Sequence, residues 1–307
     1  MVARRRRWRT LVPVALCLLL AGCGAAGSAS SGGASGRLQV VAAENFWGSI
    51  AAQLGGDKVQ VTSIITNPAT DPHDYEPTPG DARTLAGARV AIVNGIGYDA
   101  WADKLLAANP VSGRAVLNVG DLVGIKTGGN PHRWYSPPNV QQVINAITQD
   151  YKRLEPKQAS YFDAQRQSFE TRGLARYKGL IASIRRRYAG VPVGASESIF
   201  APLAQSLGLR LLTPSGFLDA ISEGTDPTAG DKTTADEQIA NRQIKVWVYN
   251  SQNATPDVKR LNEQAHARGI PIATVTETLT PATASFEDWQ ARQLQAIAAA
   301  LAMATGR

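Results

Sequence analysis

Two of the three histidines in the 307-residue sequence lie in matching frames. The frames are Asp71-Pro72-His73-Asp74-Tyr75 and Asn130-Pro131-His132-Arg133-Trp134, each with proline before the histidine and an aromatic residue two positions after it. Proline biases its neighbours toward extended backbone, so we expect each imidazole to project from a loop at the end of a strand. Imidazole nitrogen is a common metal ligand, and the pair therefore predicts a metal site. The third histidine, His266, lies in a helical segment without such a frame, and we expect it to be an ordinary surface residue.

The segments around these frames alternate between strand-like and helix-like patterns. Strands are predicted over 38–43, 59–65, 89–93 and 115–119, and again over 191–195, 210–212, 244–249 and 271–275. Alternation with helices is typical of mostly parallel sheets covered on both faces. Ligands bind such folds at the carboxyl ends of the strands. The sequence therefore predicts an α/β protein of two lobes.

A single long helix over 157–188 is predicted to join an N-terminal lobe, 37–156, to a C-terminal lobe, 189–307. Its apolar residues recur at near-helical spacing, although Gly173 and Gly179 weaken it and favour a kink. At ~1.5 Å per residue, a helix of this length crosses a whole domain. A stretch rich in glycine, threonine and aspartate, 223–234, is predicted to be a loop.

The N-terminal residues are typical of an export signal. Five arginines precede an apolar segment over 10–21, and Leu20-Ala21-Gly22-Cys23 follows. This end resembles the lipobox of bacterial lipoproteins, which implies a signal peptide over 1–22 and lipidation of Cys23. Residues 24–36 are almost wholly glycine, alanine and serine, as expected of a flexible tether. We therefore expect a protein anchored to the outer face of the bacterial cytoplasmic membrane.

Removal of the signal peptide also lowers the net charge of the protein. The chain carries a net charge of +7, and loss of five arginines leaves +2, since 7 − 5 = 2. The basic balance belongs mostly to targeting, so we expect no nucleic-acid partner. The sequence has two cysteines, Cys17 in the signal and Cys23 at the lipidation position, which excludes a thiolate metal site in the mature domain.

The sequence resembles the zinc/manganese class of substrate-binding proteins of ABC transporters. The resemblance is carried by Ala43-Glu44-Asn45-Phe46-Trp47, by Asp71 to Thr78, by Asn94-Gly95 with Asp99 and Trp101, and by Asn130 to Trp134, where the family usually has aspartate in place of Asn130. It implies a metal site in the cleft between the lobes with two ligands from each lobe: His73 and His132, then Glu197 in Ala195-Ser196-Glu197-Ser198, and Glu277 just after the last strand. Asp219 and Asp226 are the alternatives for the fourth ligand, and Glu76, Asp74 and Asn45 are candidates for holding the imidazole rings.

Two imidazoles and two carboxylates form a fairly hard donor set. Such a set suits Mn²⁺, Zn²⁺ or Fe²⁺ as transported cargo, and glutamate in place of a third histidine favours manganese. The Irving–Williams order still allows zinc to bind at least as tightly, so the metal stays open. Imidazoles must be deprotonated to bind, and we expect the affinity to fall below about pH 6.

Other functions have weaker support. The sequence contains neither an H-E-x-x-H nor a G-x-S-x-G motif, and we expect no enzyme activity. A receptor for an organic solute or a metal chelate is the main alternative, and a surface adhesion protein is another. The family resemblance implies a monomer that delivers its ion to a membrane permease.

Overall fold

The computed structural model describes residues 36–253 and 255–307, so the predicted signal peptide and Cys23 lie outside the described residues. Residues 37–307 form one compact unit. No helix of that described part is both long enough and apolar enough to cross a lipid bilayer.

The structure contains two four-stranded sheets, and every strand pairing is parallel. The first sheet has the order β2-β1-β3-β4 and comprises β1 Leu38–Glu44, β2 Val59–Ile65, β3 Val90–Val93 and β4 Ala115–Asn118. The second has the order β6-β5-β7-β8 and comprises β5 Pro192–Ala195, β6 Arg210–Leu211, β7 Val246–Asn250 and β8 Ile272–Val275. We call each sheet with its helices a lobe, and the predicted two-lobed α/β fold is confirmed.

The burial of the strands explains why their sequences look as they do. All four residues of β3 are buried, as expected of a central strand that is covered by helices on both faces. The edge strand β2 instead mixes buried and exposed positions. Continuous apolar runs and alternating runs thus both belong to the same sheet.

Twelve α-helices surround the sheets in the described residues. They are α1 Asn45–Gly55, α2 Pro79–Ala86, α3 Ala100–Ala108, α4 Val119–Val123, α5 Pro137–Leu154, α6 Ala159–Ser168, α7 Ala175–Tyr188, α8 Ala201–Leu207, α9 Ser215–Ser222, α10 Ala229–Ala240, α11 Pro256–Ala267 and α12 Phe286–Thr305. Helix α2 begins with a capping box in which Thr78 and Asp81 satisfy each other's backbone N–H groups. This start, directly after the His73 loop, corresponds to the sequence signal of threonine followed by proline.

The segment expected to be one long helix is helical but not uniform. Helices α6 and α7 are joined by a π-helical turn, Phe169–Gly173. At Gly173 a Cβ atom would lie 2.8 Å from the ring of Phe169, so a side chain there would collide with the wider turn. The predicted kink therefore takes the form of a π-turn, a common cause of irregularity in long helices.

The predicted loop over 223–234 is partly wrong. Helix α9 ends at Ser222, but α10 begins at Ala229, where the side chain of Thr228 accepts a hydrogen bond from the backbone N–H of Asp231. Asp226, Pro227 and Gly230 give this stretch a loop-like composition that conceals the helix cap. The capping position, not the composition, determines where this helix begins.

One hydrophobic core runs through both lobes. Phe46 and Tyr151 of the first lobe belong to the same buried cluster as Val193 of the second and Leu294 of α12. Polar contacts add to this connection: the Gln252 side chain donates to the carbonyl of Pro68 at 2.6 Å. A shared core with cross-lobe hydrogen bonds favours small relative movements of the lobes over a wide hinge opening.

Candidate metal site

The four ligands expected from the sequence lie on loops at the carboxyl ends of four strands. His73 follows β2, His132 lies between α4 and α5 after β4, Glu197 follows β5 and Glu277 follows β8. Because parallel strands end together at one edge of a sheet, each lobe directs its two side chains toward the cleft. Sheet topology thus brings together residues that are more than 200 positions apart.

The distances show that these side chains converge. The ring centroids of His73 and His132 are 6.2 Å apart. The Nε2 atom of His132 lies 3.6 Å from Oε1 of Glu277. Glu197 and Glu277 each accept a hydrogen bond of 3.0 Å from the same amide nitrogen, Nδ2 of Asn250. All four predicted residues therefore lie at one place in the molecule.

The two histidine frames have a common backbone geometry. The backbone N–H of His73 donates to Oδ1 of Asp71 at 2.9 Å, and that of His132 donates to Oδ1 of Asn130 at 3.0 Å. A side-chain oxygen that accepts from the backbone two residues later is an Asx turn. The acidic or amide residue before each Pro-His pair is thus what shapes the loop, together with the proline.

The aromatic residue of each frame anchors its loop. The ring of Trp134 stacks on Phe46 with centroids 4.0 Å apart, and it is fully buried. Tyr75 packs edge-on against Trp101 and donates a hydrogen bond to Asp81 of α2. Each imidazole is therefore held between an Asx turn and a packed ring.

Three donor atoms at this place are buried and have no hydrogen-bond partner. They are Nε2 of His73, Nε2 of His132 and Oε1 of Glu197. The exposure of His132 is 0% and that of Glu197 is 1%. A buried polar atom without a partner costs free energy, so three of them facing one cleft call for a ligand with positive charge.

Asn130 also determines which nitrogen of His132 is free. Its Oδ1 lies 3.0 Å from Nδ1 of the imidazole, in addition to accepting from the backbone. An amide oxygen can only accept, so Nδ1 carries the proton and Nε2 keeps its lone pair. We expected Glu76, Asp74 or Asn45 to hold a ring, and for His132 this was wrong: Asp74 and Glu76 are exposed, and Asn45 accepts from the backbone of Leu279.

The two carboxylates have opposite electrostatic environments. Burial raises the pKa of Glu197, and the nearby charge of Glu277 raises it further. Burial acts on Glu277 in the same direction, but the positive charge available on His132 and His73 holds the pKa of Glu277 below its ordinary value. Two carboxylates this close cannot both ionise easily, so a divalent cation between them would remove the conflict.

Tyr98 connects the two lobes at the site and was not singled out from the sequence. It is buried, and its hydroxyl donates to Oε2 of Glu277 at 2.9 Å. Asp99, the next residue, accepts from the backbone N–H groups of Asn94 and Gly95 at 2.6 and 2.7 Å. Burial raises the pKa of Asp99 to about 6 despite these bonds. The Asn94-Gly95 turn and Asp99 thus position the tyrosine.

Within residues 36–253 and 255–307, no three histidine, cysteine, aspartate or glutamate side chains stand at the spacing of a closed metal shell. Asn250 and Tyr98 already donate hydrogen bonds to three of the four carboxylate oxygens of Glu197 and Glu277.

The structure distinguishes between the candidates for the fourth ligand. Asp219 lines a cavity of 490 Å³ together with His73 and Asn130, and burial raises its pKa. Asp226 is 96% exposed and faces Lys232. His266 is exposed on α11, as expected of an ordinary surface residue. Glu277 lies 3.6 Å from Nε2 of His132, whereas Asp219 lines the cavity beside His73.

Asn250 is the other residue that sequence reasoning missed. It is fully buried at the last position of β7. The family resemblance implied the two glutamates but gave no reason to select this amide, which is not an obvious metal ligand. Its function is to hold carboxylates.

Comparisons with known proteins agree with this arrangement. The family model described as ZnuA, zinc-uptake complex component A periplasmic, matches residues 40–300. The metal ABC transporter substrate-binding lipoprotein FimA of Streptococcus parasanguinis is 28% identical over 276 residues, which cover 83% of this chain and 84% of FimA. The manganese ABC transporter substrate-binding lipoprotein PsaA of Streptococcus pneumoniae is 27% identical over 76% of this chain and 77% of its own.

Solved structures show the same fold. A periplasmic metal-binding protein from Candidatus Liberibacter asiaticus has a TM-score of 0.72, with 20% identity over 86% of this chain and 100% of that one. The periplasmic zinc-binding protein TroA of Treponema pallidum has a TM-score of 0.71, with 19% identity over 87% and 99%. The family match covers most of the sequence, and the chain therefore belongs to the ZnuA family of periplasmic zinc-uptake component A proteins.

Proposed function

We propose that this protein is an extracytoplasmic, lipid-anchored receptor that binds one divalent transition-metal ion and delivers it to an ABC-transporter permease. His73, His132, Glu197 and Glu277 hold the ion. The observation that carries this proposal is the group of three buried donor atoms without hydrogen-bond partners, on His73, His132 and Glu197, at one cleft.

The donor set favours manganese or zinc as cargo. Two imidazole nitrogens and two carboxylates bind both ions, and the absence of a thiolate disfavours soft cations such as Cu⁺. Relatives named for manganese, iron and zinc support the same range: PsaA of Streptococcus pneumoniae, YfeA of Yersinia pestis and ZnuA of Bacillus subtilis. The protein is thus a transport receptor for a metal ion.

The membrane anchor is supported by the sequence and by the names of relatives. Cys23 follows a lipobox-like run, and several relatives are named lipoproteins. A diacylated cysteine holds a protein firmly at a bilayer, and the short tether leaves the receptor free to reach a permease. The receptor acts as a monomer, and its shared core keeps the lobes close during capture and release.

The test is elemental analysis of residues 37–307 after exposure to equimolar Mn²⁺, Fe²⁺ and Zn²⁺. We expect one ion per chain in the wild type and none in the His73→Ala/His132→Ala double variant. His266→Ala, which removes an exposed histidine on α11, is the matched control and keeps the ion. Absence of metal from the wild type, or its retention by the double variant, contradicts the proposal and favours a receptor for an organic solute or chelate.

A further inference from the structure

Asn250 lies between the two carboxylates that we propose as ligands. Its Nδ2 atom donates to Oε2 of Glu197 and to Oε1 of Glu277, both at 3.0 Å. The residue is 0% exposed, so water cannot replace these bonds easily. One amide group therefore uses both of its N–H bonds on the metal site.

The orientation of this amide is determined by its surroundings. Its Oδ1 accepts from the backbone N–H of Gln252 at 3.0 Å, and its own backbone N–H donates to the hydroxyl of Ser196 at 3.1 Å. The reversed amide would place its oxygen against two carboxylates and its NH₂ group against an N–H donor. Asn250 thus cannot turn away from the glutamates without losing three hydrogen bonds.

The hydrogen bonds to Asn250 determine which carboxylate oxygens an ion can reach. Glu197 keeps only Oε1 without a hydrogen bond. The other oxygen of Glu277, Oε2, accepts from Tyr98, so Oε1, which Asn250 holds and which lies 3.6 Å from Nε2 of His132, is the oxygen that faces the histidines. Asn250 therefore fixes an orientation in which each glutamate presents one oxygen to the site.

We infer that Asn250 sets the metal preference of the site by restricting Glu197 and Glu277 to one coordinating oxygen each. Two imidazole nitrogens and two single oxygens form a four-coordinate set, which suits Zn²⁺. Mn²⁺ prefers about six ligands, mostly oxygen, and would benefit from both oxygens of each carboxylate. This inference depends on the proposed function, because it concerns the same ion, and it makes Asn250 a positioning residue.

The decisive variant is Asn250→Ala in the detergent-solubilised mature lipoprotein. We expect the ratio of Mn²⁺ affinity to Zn²⁺ affinity to rise by about tenfold, within the range found for residues that orient metal ligands. The ratio is measured by competition with a chelator. X-ray absorption of the Mn²⁺-loaded protein should show additional oxygen neighbours, a change that simple loosening of the fold does not produce.

Asn262→Ala is the matched control. Asn262 of α11 accepts a hydrogen bond of 2.7 Å from the indole N–H of Trp247, which lies on β7 like Asn250. Loss of the Asn262 side chain therefore loosens β7 without removing a hydrogen bond to the carboxylates. The affinity ratio should stay at the wild-type value in this control. An equal change in both variants overturns the inference, because the effect would then come from β7 in general.

Asn250→Asp covers the case in which the alanine variant does not fold. It keeps the shape of the side chain but replaces the NH₂ donor with an oxygen, and it should shift the ratio toward Mn²⁺ as well. A wild type that binds metal, together with folded Asn250 variants of unchanged ratio and oxygen count, overturns the inference alone. A wild type that binds no metal overturns the proposed function and the inference together.

Discussion

The histidine half and the carboxylate half of the site are positioned in different ways. His73 and His132 are each held by a residue two positions earlier in the same loop, Asp71 or Asn130. Glu197 and Glu277 are held by Asn250, which is 53 and 27 positions away from them. The candidate nitrogen ligands are therefore placed by local sequence, and the candidate oxygen ligands by contacts that exist only in the folded chain.

The halves also differ in how they respond to protons. The pKa of Glu197 is raised by burial and by its glutamate neighbour, whereas the histidine charges lower the pKa of Glu277 against the effect of burial. A bound cation would take the place of the proton on Glu197 and of the imidazole charge beside Glu277. The two glutamates are thus not equivalent, although both come from the same lobe.

Among the variants that test this comparison, we expect Glu277→Gln to change the metal affinity most. It keeps the shape of the side chain but removes the charge that faces His132 at 3.6 Å. The bound ion would then lack one of its two carboxylate partners, and loss of one partner of a buried charge pair costs about 3 kcal/mol, so we expect a roughly 100-fold loss of affinity for Zn²⁺ or Mn²⁺. Isothermal titration with each ion measures it.

Asp219→Asn is the comparison for that measurement, because Asp219 lines the cavity that His73 and Tyr98 also line. We expect it to change the affinity far less than Glu277→Gln. A larger loss of affinity in Asp219→Asn than in Glu277→Gln would identify Asp219, and not Glu277, as the fourth ligand.

A smaller effect is expected from Asn130→Ala, which tests the local half. The variant removes the oxygen that accepts from the backbone and from Nδ1 of His132. Loss of a group that orients a metal-binding imidazole weakens binding by about 10-fold or somewhat more. Asn139→Ala, at an exposed side-chain contact on α5, should leave the chelator-competition affinity unchanged. Equal affinities in the two variants would show that the Asx turn does not position the ring.

The smallest expected effect concerns the stability of the metal-free protein. Because the pKa of Glu197 is raised in the folded state, its stabilising contribution is complete below the ordinary value of 4.5 and is lost as the pH rises through the raised pKa. Glu197→Gln stays neutral at every pH. Calorimetry in chelator should therefore show a Tm higher by roughly 2–4 °C at pH 7.5 and nearly unchanged at pH 4. The same increase at both pH values would mean that packing, not ionisation, causes it.

Local sequence signals were reliable where a short-range rule governs the chain. The strand Val59–Ile65 has the bounds that were expected, and α2 begins at Thr78-Pro79, a typical helix start. Helix α10 was missed because Pro227 and Gly230 suggested a loop, although Thr228 and Asp231 already carried the cap. Propensity alone could not decide there, since tertiary packing stabilises a helix whose composition is weak.

The sequence by itself determined the alternation of strands and helices, the two histidine loops and the kind of metal chemistry that they support. Those features depend on neighbours within a few residues, where backbone sterics and side-chain capping act. Only the tertiary structure decided that Asn250 and Tyr98 hold the glutamates and that His132 is oriented by Asn130 through its ring as well as its backbone. A hydrogen bond between residues such as Tyr98 and Glu277 has no signature along the chain, because its geometry arises only when two sheets bring their carboxyl ends to one cleft.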